Sequence, residues 1–303
     1  YIYSSALDGN DNVILVGYTE SSSEIASAYA FQKNRNGYTK DGFIAKINTF
    51  GWLGWSTYYG GSGDDYIKDI ALNEAGDMYL VGETDSSDGI AYSTFFSTPF
   101  QSSKNGLKDA TISLFSSSGD ILFGSYFGGE SQDYFDKIDY KNNKFIISGN
   151  TVSKTGIATA NAPFITPQNI NNVIGSAFAI FDFKGNLQLG SYFQNNLTDC
   201  AIDKDGNYFL IGYDYTNTLG SQNSYQPYIS GDSDAFIVKY DKNNLKKYGT
   251  YYGGNSSETE IVFHLDDKEI FYYLGGKTSS SNNITSPNGY KKTNIINGKM
   301  LLL

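Results

Sequence analysis

Three acidic residues recur at matching places along this chain of 303 residues and could bind a cation. Asp65, Asp133 and Glu258 each follow a Gly-Gly pair by four residues, and Asn195 stands at the comparable place in a degenerate copy. Carboxylate oxygens are the ligands that Ca²⁺ prefers. Acidic side chains at such places also cap tight turns, and this is the interpretation that we favour. We therefore predict no metal site and no cofactor, with these three acids as the candidates if Ca²⁺ is bound.

Aromatic residues in five long polar segments form a second candidate site. These segments cover residues 20–40, 85–108, 152–175, 215–233 and 277–298. Exposed rings can stack on sugars or anchor a protein partner. The candidate ligand-binding residues are Tyr92, Phe95, Phe96, Phe164, Tyr225 and Tyr228, with Phe100 and Tyr290 in the same class. The alternative interpretation is that these rings are buried and fix the loops in place.

Residues for other kinds of catalysis are sparse in the sequence. His264 is the single histidine and Cys200 the single cysteine, so a zinc or iron site and a disulfide framework are not expected. No Gly-x-Ser-x-Gly motif accompanies the histidine, as a serine hydrolase of that class would require. A sugar hydrolase or lyase could use paired carboxylates and a tyrosine, but the spacing nominates no pair. We therefore predict that the chain is not an enzyme.

The overall charge argues against two classes of partner. The formal net charge is −10, from 32 acids and 22 bases, and the bases form no cluster along the sequence. Binding of nucleic acid normally uses a concentrated basic surface, so we expect no nucleic-acid partner. No apolar run reaches the roughly 18 residues of a membrane-spanning helix, so we expect no direct insertion into a membrane.

These residues are positioned by a repeat of about 65 residues. Glycines near the end of an apolar segment recur at Gly17, Gly82, Gly149, Gly212 and Gly276. A Tyr-x-Gly-Gly motif begins at Tyr58, Tyr126 and Tyr251, and Gln194-Asn195 replaces its glycines in the copy that begins at Tyr192. A further apolar segment begins at Asp41, Asp109, Ser176 and Asp234. The repeats cover 1–61, 62–129, 130–195, 196–254 and an incomplete 255–303.

Each repeat predicts four short antiparallel strands joined by Gly, Asn and Asp turns. In the first repeat the strands cover 2–7, 13–19, 42–48 and 53–59. Radial repetition of four-stranded sheets defines an all-β fold, the β-propeller. We predict a single propeller domain over 1–303 with five blades, the fifth lacking its last strand. A fragment of a larger propeller is the alternative.

The segment WSTYYGGSGDDYIKDIALNEAGDMYLVGET resembles the bacterial β-propeller repeat known as SBBP. Its members combine a Trp-Ser-Thr-Tyr-x-Gly-Gly block with a block that ends in Gly-x-Thr. The resemblance covers nearly the whole chain and is weakest in the third repeat. It implies a secreted or cell-surface protein of the Bacteroidota type, exported by type 9 secretion. The family brings no catalytic residues with it.

The sequence therefore predicts a non-catalytic interaction module outside the cell. We expect its long-loop face to bind another envelope or surface protein. A carbohydrate-binding, adhesin-like module is the alternative and uses the loop aromatics. A polysaccharide-degrading enzyme is the third hypothesis.

Overall fold

The computed structural model describes residues 1–37, 39–167, 175–266, 269, 272–285 and 299–302. These residues form 19 β-strands, and no helix that could cross a membrane occurs among them. The chain divides into two compact units, 1–192 and 193–303. The prediction of one domain over the whole chain stays a prediction.

The first unit contains three four-stranded antiparallel sheets in which sequential strands are neighbours. Sheet 1 consists of β1 (Ile2–Leu7), β2 (Val13–Thr19), β3 (Asp41–Ile47) and β4 (Leu53–Tyr59). Sheet 2 consists of β5 (Asp65–Leu72), β6 (Met78–Thr84), β7 (Asp109–Phe115) and β8 (Ile121–Phe127). Sheet 3 consists of β9 (Asp133–Lys141), β10 (Lys144–Thr151), β11 (Gly175–Asp182) and β12 (Leu187–Phe193).

The second unit contains two sheets with the same order of strands. Sheet 4 consists of β13 (Asn196–Ile202), β14 (Tyr208–Asp214), β15 (Asp234–Tyr240) and β16 (Lys246–Tyr252). Sheet 5 has three strands, β17 (Glu258–Leu265), β18 (Tyr272–Thr278) and β19 (Lys299–Leu302). The predicted fold class is confirmed: the chain has an all-β fold built from the antiparallel sheets of a β-propeller.

Acidic side chains fix the turns between the first and second strands of sheets 1 and 4. The carboxylate of Asp8 accepts hydrogen bonds from the main-chain N–H groups of Asn10 and Asn12. Asp203 accepts from Asp205 and Asn207 in the same way. Asn and Asp suit such turns because their short side chains bond to nearby main-chain groups. These Asp-rich segments are therefore turns of the hairpins.

Aromatic side chains fill the space between the sheets of the first unit. The ring of Phe127 lies edge-to-face against Phe135 and Phe181, with centroids 5.1 Å and 5.5 Å away. Phe145 stacks on Phe181 at 5.0 Å. Each such ring contributes roughly 1.5–3 kcal/mol by leaving water. The high content of Phe and Tyr thus forms the core of this unit.

Main-chain hydrogen bonds also link one sheet to the next within each unit. The N–H of Asp65, at the start of β5, donates to the carbonyl of Lys40, just before β3, at 3.0 Å. The N–H of Asp133 donates to the carbonyl of Lys108 at 2.8 Å. In the second unit the N–H of Glu258 donates to Ser233 at 2.9 Å. The first strand of a sheet is thereby tied to the third strand of the preceding one.

Candidate functional site

Two carboxylates flank the first glycine of each Gly-Gly pair. A methyl group at Gly60 would lie 2.6 Å from Oδ2 of Asp65 and 3.0 Å from Cγ of Asp41. We call each such arrangement a glycine corner. The three corners are Asp41, Gly60, Gly61 and Asp65; Asp109, Gly128, Gly129 and Asp133; and Asp234, Gly253, Gly254 and Glu258. Glycine is needed there because the carboxylates occupy the space of a side chain.

The three acids proposed from sequence as metal candidates all cap these turns. Oδ2 of Asp65 accepts from the N–H of Gly61 at 2.7 Å and from the hydroxyl of Ser86 at 2.8 Å, and Thr84 donates to Oδ1. Asp133 and Glu258 receive the corresponding bonds in their own corners. The described residues contain no group of three or more His, Cys, Asp and Glu side chains placed to hold a metal ion. The expectation of no metal and no cofactor stays a prediction, with Asp65, Asp133 and Glu258 as the candidates if Ca²⁺ is bound.

A glutamine connects the other acid of each corner to the turn. Nε2 of Gln32 donates to Asp41 at 2.7 Å, and its Oε1 accepts from the N–H of Gly60 at 3.1 Å. Gln101 and Gln226 make the same two connections in the other corners. The glutamine therefore fixes the third strand of a sheet against the turn that leaves the fourth strand.

Burial controls the protonation of the corner acids. It raises the pKa of Asp65 to about 7 against the hydrogen bonds that lower it, and the nearby charge of Asp41 adds to the rise. Burial also raises the pKa values of Asp41, Asp109, Asp133 and Glu258. At the first corner, Asp65 therefore retains a proton over part of the neutral range of pH.

The connection from β12 to β13 lacks a glycine corner. Two residues join these strands, whereas five join the strands at each glycine corner. Nδ2 of Asn195 donates to Oδ1 of Asp214, and the hydroxyl of Tyr251 donates to Oδ2, both at 2.6 Å. Burial alone would raise the pKa of Asp214, but hydrogen bonds from Thr216 and Tyr251 outweigh it and hold the pKa below its ordinary value. We call this arrangement the short corner.

Three of the six loop aromatics named from sequence pack against the core of the first unit. Tyr92 lies edge-to-face on Phe31 with centroids 5.1 Å apart, and Phe96 lies on Phe183 at 6.1 Å. Phe164 packs on the core cluster of sheets 2 and 3. The alternative interpretation, that aromatic rings fix the loops, therefore describes the placement of these three residues.

The other three loop aromatics are exposed. Phe95 has a fully exposed side chain, and Tyr225 and Tyr228 are also largely exposed, in the second unit. Tyr225 stacks on Tyr252 with centroids 6.2 Å apart. Tyr290 lies outside the described residues. A binding role for any of the six candidates stays a prediction.

A small, half-open cavity of about 20 Å³ lies between sheets 4 and 5 of the second unit. Its walls are mostly apolar, with Ile261 and Leu274 among them. Its charged side chains already have partners, because Glu258 caps its corner and Lys277 pairs with Glu260. The cavity therefore offers little to orient a polar ligand.

Three lysines surround the ring of Tyr66 in the first unit, an arrangement that the sequence analysis did not anticipate. The Nζ atoms of Lys68, Lys108 and Lys40 lie 4.9 Å, 5.4 Å and 5.5 Å from the ring centroid. Ammonium groups at such distances interact favourably with the electron-rich face of an aromatic ring. Lys40 also donates a hydrogen bond to the hydroxyl of Tyr66 at 3.2 Å.

The three lysines differ in their counter-charges. Glu83 lies 2.9 Å from Nζ of Lys68 and 3.8 Å from Nζ of Lys108, which Asp85 also approaches at 3.7 Å. No ion pair within 4.0 Å involves Lys40 in the described part of the chain. The hydrogen bond to Tyr66 raises the pKa of Lys40. Lys40 is thus a protonated ammonium with no carboxylate within 4.0 Å among the described residues, and the more distant charge of Asp64 adds to the rise in its pKa.

Further tyrosines extend the arrangement on both sides. Lys68 lies 4.3 Å from the ring centroid of Tyr3, Lys40 lies 5.3 Å from that of Tyr18, and Lys108 lies 5.7 Å from that of Tyr134. The rings of Tyr18 and Tyr66 are 5.1 Å apart. We define the tyrosine–lysine cluster by these side chains: Tyr3, Tyr18, Lys40, Tyr66, Lys68, Glu83, Lys108 and Tyr134.

Comparisons with known proteins give structural neighbours only. No family model matches the chain, and no curated protein matches it in sequence. A gluconolactonase from Xanthomonas campestris is 8% identical with a TM-score of 0.44, over 91% of this chain and 69% of that one. A protein of unknown function from Bacteroides caccae is 10% identical with a TM-score of 0.38, over 86% and 64%. A mutant of the Synechocystis apocarotenoid oxygenase is 11% identical with a TM-score of 0.42, over 89% and 54%.

These neighbours correct one functional prediction. The sequence predicted a non-catalytic interaction module, but two of the three neighbours are described as a gluconolactonase and an oxygenase. A non-catalytic role therefore has no support from the fold, and the prediction is wrong in that respect. The chain spans less than two thirds of the Bacteroides and Synechocystis chains. At 8–11% identity the likeness concerns the fold, and no activity of a neighbour is transferred to this chain.

Proposed function

We propose that the tyrosine–lysine cluster binds an anionic ligand that carries a flat apolar face. The observation that carries the proposal is Lys40, a protonated ammonium between the rings of Tyr18 and Tyr66 with no carboxylate within 4.0 Å among the described residues. An anionic group would pair with Lys40, and the apolar face of the ligand would pack on a tyrosine ring. Acidic sugars combine these two features.

The neighbouring charges support this role for Lys40. Glu83 lies between Lys68 and Lys108 and reduces the repulsion between their ammonium groups. Lys68 pairs closely with Glu83 at 2.9 Å, whereas the carboxylates nearest to Lys108 lie 3.7 Å and 3.8 Å away, so Lys40 and then Lys108 are the lysines that can contact an anion. One charge-assisted hydrogen bond is worth about 1.5–3 kcal/mol, and the packing of an apolar face on a half-buried tyrosine ring adds to it.

The origin and location of the protein are part of the same proposal. The protein would be an SBBP-type repeat protein of the Bacteroidota kind, exported by type 9 secretion to the cell surface or the medium. The support is the sequence resemblance of residues 55–84 to that repeat. An acidic glycan is a ligand that a protein outside the cell would meet.

Calorimetric titration with small sugars tests the proposal. Galacturonate and galactose 6-sulfate are the anionic probes, and galactose is the neutral control with the same ring. The anionic sugars should bind at least about tenfold more tightly than galactose, the effect of one charge-assisted contact. Their affinity should fall as salt is added, because salt screens exposed charges.

Two matched variants locate the binding site. Lys40→Ala should weaken binding of the anionic sugars about tenfold or more. Lys33→Ala removes an exposed lysine from the same loop region and should leave the affinity unchanged. Equal affinity of the two variants, or equal affinity of the wild type for galacturonate and galactose, would disprove the proposal.

A further inference from the structure

The tyrosine–lysine cluster presents the same pair of groups twice. Nζ of Lys40 lies 5.5 Å from the ring of Tyr66, and Nζ of Lys108 lies 5.7 Å from the ring of Tyr134. Each lysine directly precedes the acid that begins a third strand, and each tyrosine follows the acid that begins the next sheet. The main-chain bonds from Asp65 to Lys40 and from Asp133 to Lys108 hold both pairs in the same relation.

Rings and ammonium groups alternate between these two pairs. Lys68 lies over both Tyr3 and Tyr66, at 4.3 Å and 4.9 Å. Lys108 lies over both Tyr66 and Tyr134, at 5.4 Å and 5.7 Å. A ligand with one anionic group could use only part of this series. A chain of units that each carry an anion and a ring could use all of it.

Carboxylates within the tyrosine–lysine cluster help to distinguish an acidic glycan from a nucleic acid as the ligand. Glu83 and Asp85 lie within 4.0 Å of the lysines, and Asp64 accepts a hydrogen bond from the hydroxyl of Tyr66 at 3.4 Å. Carboxylates accept hydrogen bonds from sugar hydroxyl groups. These carboxylates and the formal net charge of −10 repel every anion, but the hydroxyl groups of a sugar unit can donate to the carboxylates, which the phosphate groups of a nucleic acid cannot do. The mixed charge of the series therefore suits an acidic sugar chain.

We infer that the ligand of the tyrosine–lysine cluster is a linear acidic glycan that occupies at least two of its lysine–tyrosine pairs. The inference rests on the proposed function and adds the length and chemical class of the ligand. Alternate sugar units would place carboxylate or sulfate groups on Lys40 and Lys108. The sugar faces would pack on Tyr66 and Tyr134.

A titration with oligogalacturonates of one to four units tests the inference. The affinity of the wild type should increase about tenfold or more from the monomer to the tetramer, the effect of one added charge-assisted contact. Lys108→Ala should remove most of this increase, and Tyr134→Ala should remove the part that the ring contributes, which Tyr134→Phe should restore. Lys33→Ala should show the wild-type increase. Thermal unfolding of each variant identifies any loss of fold.

The outcomes separate the two proposals. Equal affinity for monomer and tetramer overturns the extended ligand and leaves the anion site in place. Absence of binding by every anionic sugar overturns both. Binding of a single-stranded oligothymidylate as tight as that of the tetramer overturns the assignment to a glycan. If the affinities of both Lys108→Ala and Tyr134→Ala increase from monomer to tetramer as much as that of the wild type, the second pair, Lys108 and Tyr134, has no role in binding.

Discussion

The glycine corners and the short corner perform the same structural task with opposite electrostatics. At a glycine corner, Asp41 and Asp65 lie on either side of Gly60, and burial raises the pKa values of both. At the short corner, Asp214 receives bonds from Asn195 and Tyr251, and its pKa is lowered. Both acids of the glycine corner and Asp214 are almost completely buried.

The difference shows that burial does not by itself set the charge of a corner acid. Asp65 has three donors but also a second carboxylate nearby, whereas Asp214 has an amide in that place. An amide donates a hydrogen bond to the charged carboxylate and a second acid repels it. The glycine corner therefore favours the protonated form of Asp65, and the short corner favours the charged form of Asp214.

Gly60→Ala should have the largest effect on this comparison. The new methyl group would lie 2.6 Å from Oδ2 of Asp65, a buried oxygen already held by two hydrogen bonds. Overpacking of this kind costs about 3 kcal/mol at a rigid site. Urea denaturation should show that loss in the free energy of unfolding. Gly9→Ala is the control, because no atom lies within 4 Å of its added methyl group. Equal stability of the two variants would mean that the glycine is not required by the carboxylates.

Neutralisation of the central acid should separate the two kinds of corner. At pH 8, Asp214→Asn should lose about 2 kcal/mol of unfolding free energy, because charge-assisted hydrogen bonds from Tyr251 and Asn195 disappear. Asp65→Asn should lose less than about 1 kcal/mol, because removal of a repelled, buried charge offsets its lost acceptor. Urea denaturation measures both changes. A larger loss in Asp65→Asn would reverse the assignment of charge.

The dependence of stability on pH should reveal the same contrast more weakly. The pKa of Asp65 is raised from 3.8 to about 7, so its contribution to stability is present below pH 4 and is lost as the pH rises through 7. The free energy of unfolding should fall by about 1 kcal/mol between pH 6 and pH 8. Asp214, with a lowered pKa, loses its contribution only below about pH 4 and should not change in this range.

A comparison of variants across this range checks the assignment. Asp65→Asn should reduce the fall in stability between pH 6 and pH 8, and Asp214→Asn should retain it. Thermal unfolding at three pH values is sufficient. An unchanged fall in Asp65→Asn would assign the effect to another group.

The repeat made the fold predictable, because each strand is short, apolar and bounded by turn residues. The predicted strands 2–7 and 13–19 coincide with β1 and β2. In the third repeat the predicted alignment of the third strand was wrong by one residue. The sequence aligned Ser176 with Asp41, but the strands pair Thr151 with Gly175 as they pair Thr19 with Asp41. Gly175 therefore occupies the place of the acid, and pairing register cannot be read from composition alone.

The candidate site was predicted only in part, because its contacts join different sheets. The turn-capping acids could be recognised, since Asp65 and Asp133 stand at a fixed distance from a Gly-Gly pair. The tyrosine–lysine cluster could not, since 26 residues separate Lys40 from Tyr66 and no local pattern joins them. The available signal was repetition: Lys108 and Tyr134 have the same separation. Residues that recur in neighbouring repeats can meet across the space between them.

The main-chain bonds between sheets have a consequence for how such a chain can change in length. The donor at Asp65 and the acceptor at Lys40 are backbone atoms, and Asp133 and Lys108 supply the same atoms one repeat later. A duplicated repeat would therefore arrive with its own donor at one end and its own acceptor at the other. The main-chain part of the contact between sheets therefore needs no matched substitutions when a repeat is added or removed, and only the side chains between the sheets must adapt.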